Sequence, residues 1–126
     1  MSATAVSPRP AVLALAAVID VVAVLVFAAV GRASHGEPVL AGLALTAWPF
    51  LVALAVGWVA LLAWRRPTAP LRTGVGVWLV TVAGGMLLRA VSGQGVALAF
   101  VIVATIVLFL FLVGWRALAT LVRRRR

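Results

Sequence analysis

Asp20 is the residue here with the clearest chemical potential, a carboxylic acid near the centre of an apolar run from about Ala11 to Val30. An ionisable group at that depth of an apolar helix is costly unless it is protonated, paired or hydrated. Thr81 and Thr105 fall near the middle of their own apolar runs, so three polar groups share about one depth. Arg89 follows Thr81 and Gly85 at i, i+4, i+8, which puts all three on one helix face. Asp20, Thr81 and Thr105 therefore define a candidate midplane pocket, with Gly84 and Gly85 letting helices approach closely and Arg89, two residues from the outer end of its span, as its fourth candidate member. Its chemistry would be the binding or passage of a proton, a cation or a small solute. The plainer alternative is a protonated Asp20 bonded to a neighbouring helix and an Arg89 that snorkels to headgroups.

A second polar group is the string from Gly31 to Glu37, where Arg32, His35 and Glu37 gather. Such a loop can bind a headgroup, an anion or a proton, or simply be solvated. One His and one Glu fall short of the three or four ligands of a transition-metal site, so no metal and no cofactor is expected. With no Cys, disulfides and thiol chemistry are excluded. No Gly-rich phosphate loop, paired catalytic carboxylates or Ser/His/Asp set is present, and no enzyme is expected.

The elements that must position these residues follow from composition. Of 126 residues 66% are hydrophobic, against roughly 45–50% in soluble domains. A membrane crossing needs about 20 mainly apolar residues. Four segments qualify, at about 11–30, 43–64, 73–91 and 96–115. Helices satisfy their own backbone in lipid, so the expected fold is an all-α membrane protein of four transmembrane helices. The whole chain, 1–126, reads as one transmembrane domain with a basic cytoplasmic tail at 116–126.

Charge orients the bundle. Arg9, Arg65, Arg66, Arg72, Arg116 and Arg123 to Arg126 lie on one side, and Arg32 and Arg89 on the other. The positive-inside rule then places both termini in the cytoplasm of a multi-pass protein of the cell membrane. The net charge of +9 is accounted for by these flanks, which leaves no basic face for nucleic acid. Arg123, Arg124, Arg125 and Arg126 read as an anchor on anionic lipid headgroups. Trp48, Trp58, Trp64, Trp78 and Trp115 read as interfacial belts. A cleaved signal peptide is disfavoured, because the first apolar run is too long and Asp20 interrupts it.

Shifting the sequence by 57 positions aligns Arg9-Pro10 with Arg66-Pro67, Arg32-Ala33 with Arg89-Ala90, Gly36 with Gly93, Glu37 with Gln94, and Gly57-Trp58 with Gly114-Trp115. The matches fall at equivalent structural points, so two tandem helical hairpins are expected, related as parallel repeats. Asp20 aligns with Val77 and has no counterpart.

The string Gly31-Arg32-x-Ser34-His35-Gly36, with Trp48-Pro49-Phe50 and Gly57-Trp58, resembles a family of small prokaryotic membrane proteins. Thr81-x-x-Gly84-Gly85-Met86-x-x-Arg89, Ala99-Phe100-x-x-Val103-Ala104 and Gly114-Trp115-Arg116 agree with it. The family is domain of unknown function 3054, found chiefly in actinobacteria and haloarchaea. The resemblance runs from about Val18 to Leu118 and implies the four-span fold; it brings no activity and no catalytic residue. Two functions remain open: binding or transport of a small solute or proton at Asp20, or a non-enzymatic assembly protein holding lipids or a partner, a homodimer included.

Overall fold

The structure is a computed structural model that describes residues 8–125. It contains α1 (Pro10–Ser34), α2 (Val39–Ala60), α3 (Gly76–Val91), α4 (Leu98–Leu112) and α5 (Gly114–Arg124), with no strand among the described residues. A short 3-10 turn, Ala63–Arg65, and a π-helical turn, Pro70–Val75, join α2 to α3. Four helical stretches are long and apolar enough to cross a membrane: Pro10–Ser34, Val39–Ala60, Pro70–Val91 and Leu98–Arg124. Each packs on its neighbour in sequence, and α4 closes the ring on α1.

The helix ends follow from local chemistry. Pro10 opens α1 at a position whose N–H would lack a partner in any case. At its other end Gly36 adopts φ +68°, and the N–H groups of Gly36 and Glu37 donate to the carbonyls of Ala33 and Arg32. The end of α3 repeats this closure. Gly93 adopts φ +80°, and Gly93 and Gln94 donate to Ala90 and Arg89. Both are Schellman motifs, in which a left-handed glycine lets the chain double back on the last carbonyls. Such tight closure is why α2 begins at Val39, ahead of the expected 43.

The last apolar helical stretch, Leu98–Arg124, is interrupted once. The segment from 116, read as a tail, continues as helix α5 to Arg124 after a one-residue interruption at Val113. Ala117, Leu118, Ala119, Thr120 and Leu121 include no helix breaker, so nothing stops the helix there.

Packing is closest between α2 and α3. A Cβ on Gly85 would collide with the ring of Phe50, and one on Gly84 would lie 2.9 Å from the Ala53 Cβ. Around this contact the core is built from Val24, Phe27, Phe50, Leu54, Val77 and Leu108. Phe27 meets Phe50 edge-on at 5.2 Å, and Phe100 completes the aromatic group at 5.9 and 6.0 Å. The outer surface is no less apolar: Leu40, Leu71 and Leu98 are 89%, 79% and 75% exposed. Helices apolar all round suit a surrounding that is itself apolar.

Gly85→Ala should therefore lower stability by about 1–3 kcal/mol through overpacking against Phe50. Gly31→Ala, where a Cβ meets open space inside α1, should raise it by up to about 1 kcal/mol. Thermal unfolding of the purified protein in detergent measures both.

Candidate functional site

Asp20 is fully buried, and so is Arg116. The two form a bidentate ion pair, Arg116 Nη1 donating to Asp20 Oδ1 at 2.9 Å and Nη2 to Oδ2 at 2.6 Å. Two indoles complete the carboxylate's surroundings. Trp58 Nε1 donates to Oδ2 at 2.8 Å, and Trp115 Nε1 donates to Oδ1 at 2.8 Å. Each oxygen thus accepts two N–H bonds, the full complement of an ionised, acceptor-only carboxylate.

Arg116 is also heavily engaged, through four of its five N–H groups. Its Nε donates to the carbonyl of Pro67 at 2.8 Å, and Nη1 donates also to the carbonyl of Leu112 at 2.8 Å. Its guanidinium carbon lies 4.7 Å from the centre of the Trp115 ring. The local sequence makes room for this reach. Gly74 lies in the π turn, where a Cβ would come within 3.2 Å of Arg116 Cδ, and the helix breaks at Val113 beside the Leu112 carbonyl that Arg116 uses. The node ties together α1, α2, the α2–α3 connection and α5.

Among the described residues, the other three candidate pocket residues make their hydrogen bonds elsewhere or make none. Thr105 donates its hydroxyl to the Val101 carbonyl at 2.7 Å, and its own carbonyl accepts from Trp78 Nε1 at 2.9 Å. Thr81 is fully buried, and its hydroxyl has no hydrogen-bond partner among the described residues. Arg89 stands at the far end of α3, where Nε donates to Gly95 O at 3.1 Å and Nη1 to Gln94 Oε1 at 3.2 Å. Its guanidinium lies 4.2 Å above the Phe100 ring. None of the three bonds Asp20. The partners of Asp20 were legible only as flank residues: Arg116 as a topology charge, Trp58 and Trp115 as belt aromatics. One signal did mark the tryptophans, since they occupy matching places in the two Gly-Trp pairs.

Arg32, His35 and Glu37 come together with Arg89 at the end of the bundle that carries the two glycine turns. They line a cleft of about 310 Å³, joined by Thr46 and Gln94 at its walls and Phe27 and Phe100 among its apolar lining. Arg32 Nε donates to Pro38 O at 2.7 Å and Nη1 to Thr46 Oγ1 at 3.0 Å, while Glu37 Oε1 stands 3.9 Å from Nη1. A Cβ on Gly42 would overlap the Arg32 guanidinium, so that glycine gives it a seat against α2. At the opposite end Arg123 donates to Thr68 Oγ1 at 3.1 Å, Arg124 and Arg125 are exposed, and Arg126 lies outside the described residues.

Fold and site together define an all-helical bundle of four apolar helices, each long enough to cross a membrane, fastened internally by one ion pair. The chain belongs to the family described as protein of unknown function (DUF3054), whose model matches residues 17–119. No curated protein and no solved structure matches it.

Removing one partner of a buried ion pair strands the other charge. Asp20→Asn and Arg116→Gln should each cost about 3–5 kcal/mol of stability. Asp20→Leu combined with Arg116→Leu should recover only part of this, because the two indole N–H groups stay unpaired at about 1–3 kcal/mol each. Denaturation in mixed micelles of the parent, Asp20→Leu, Arg116→Leu and the double Leu variant gives the coupling. Additive losses would dismiss the pair as a fastening.

Proposed function

We propose that this chain is a multi-pass protein of the cell membrane, with both termini cytoplasmic, that holds lipids or a membrane partner without catalysis. Its four crossings are read as two tandem hairpins. The long apolar helices and their exposed Leu and Val side chains support a bilayer setting. Arginine placement supports the orientation: with Arg116 withdrawn into the interior, eight remain on the terminal side against Arg32 and Arg89. The identical hydrogen-bond closure at Gly36 and Gly93, 57 positions apart, supports the hairpin repeat.

One observation carries the choice between assembly and transport. The ionisable group deepest in the apolar segments already accepts four N–H bonds from three side chains. A carrier site must exchange its ligand, and here each exchange would break a charge-assisted bond in a buried setting. The carboxylate suits fastening. Exposed Arg124 and Arg125 suit anionic headgroups on the cytoplasmic side, and a second copy is a further candidate partner. The transport reading keeps one supporting observation, the unpartnered Thr81 hydroxyl, where a water or small polar solute would sit.

Proteoliposomes test the choice. The expected result is no proton or cation flux above protein-free vesicles, with Asp20→Asn reducing the yield of folded protein only. Flux that is present in the parent and lost in folded Asp20→Asn protein would restore the carrier. The cysteine-free sequence also permits a clean topology test. A membrane-impermeant maleimide on intact cells should label His35→Cys and reach Arg124→Cys only after permeabilisation; the reverse pattern overturns the orientation.

A further inference from the structure

The cleft between the two glycine turns holds the second inference, which stands apart from the fastening role of Asp20. Only three formally charged residues lie at that end of the bundle, Arg32, Glu37 and Arg89, and all three line the one cleft together with the chain's only histidine. Arginines at the end of an apolar helix ordinarily reach outward to water or headgroups. These two turn inward. The Arg32 side chain is only 14% exposed, and the Arg89 guanidinium lies over Phe100.

Their existing bonds hold them without neutralising them. Nε of each donates to the carbonyl six residues ahead, Pro38 or Gly95, and so fixes the plane of each guanidinium over its own turn. Those carbonyls, with Thr46 and Gln94, are uncharged acceptors. Nη2 of Arg32 has no acceptor among the described residues. The one carboxylate nearby, Glu37, is 55% exposed and reaches Arg32 only at 3.9 Å, the outer limit of an ion pair. Arg116 provides the comparison inside the same molecule: a withdrawn guanidinium there has a bidentate carboxylate at 2.6 and 2.9 Å. The cleft has two guanidinium groups against one loosely paired carboxylate, a net positive site with an aromatic lining beside it.

We propose that this cleft binds a phosphate-type oxyanion, held by Arg32 and Arg89 with His35 at its rim. Two planar guanidinium forks suit the oxygens of a phosphate monoester or diester. Phe27 and Phe100 offer an apolar wall to whatever the phosphate carries. Glu37 opposes the anion. Its counterpart in the second turn, Gln94, has the same shape without the charge.

Isothermal titration of the full chain in non-ionic detergent, with inorganic phosphate in one arm and dihexanoyl phosphatidylglycerol in the other, tests this. Glu37→Gln should tighten binding about fivefold by removing one opposing charge. A gain of affinity is an effect that misfolding does not produce. Arg32→Gln combined with Arg89→Gln should weaken binding tenfold or more. Glu37→Gln should tighten binding by the same factor in protein that also carries Arg124→Gln and Arg125→Gln. Binding of both probes marks a general oxyanion site, and binding of the lipid alone marks a headgroup; either supports the proposal if Glu37→Gln tightens it. No binding by parent and Glu37→Gln protein overturns it. So does binding that ignores Glu37→Gln and is lost with Arg124 and Arg125, an outcome that leaves the lipid-holding reading intact and moves it to the other end.

Discussion

The Asp20–Arg116 ion pair sets the terms for the arginine-rich half of the bundle. A carboxylate and a guanidinium withdrawn from solvent lose several kcal/mol of hydration each, and their mutual attraction repays this only when every remaining lone pair and N–H is met. Much of the nearby irregular structure serves that condition. Trp58 and Trp115 supply the outer donors to the carboxylate, Pro67 and Leu112 supply carbonyls to the guanidinium, and Gly74 leaves room for the arginine stem. The π turn and the interruption at Val113, which look like defects of regular helices, both border the guanidinium.

The two ends of the bundle treat arginine in opposite ways. At one, Arg116 is buried and fully compensated. At the other, Arg32 and Arg89 are oriented by backbone carbonyls and stay short of negative charge. The two glycine turns close with the same hydrogen bonds and set the same Arg-to-carbonyl clasp, Arg32 to Pro38 and Arg89 to Gly95. The tandem-hairpin reading explains why one local solution occurs twice. The two indoles at matching positions in the Gly-Trp pairs meet on a single Asp20 that has no counterpart.

Much of this was legible in the residues, and the part that was not has a physical reason. Apolar run length placed four helices, and glycines placed two turns, because both are local properties. Asp20 stood out because a charge in an apolar run has no local explanation. Its partner did not, because Arg116 sits among other arginines at a helix end, where charge usually faces outward. Helices apolar on every side also hide their inward face. Thr81 and Thr105 matched Asp20 in depth, yet depth alone does not say which way a side chain turns. Sequence marks Arg89 as a pocket candidate and Arg32 as part of a polar turn, but their meeting in one cleft is a product of packing, in which Gly42 and Phe100 receive them.

Asp20 and Arg116 stand 96 residues apart, one in the first helix and the other beyond the fourth. The acid is therefore synthesised long before its base, and the pair can form only once α5 is made. Before that, Trp58 is the one donor to the carboxylate already in the chain. A chain truncated before Trp115 keeps only that one donor. The node therefore closes only on a chain whose last helix has been made and packed, so its closure reports that the fold has reached its end.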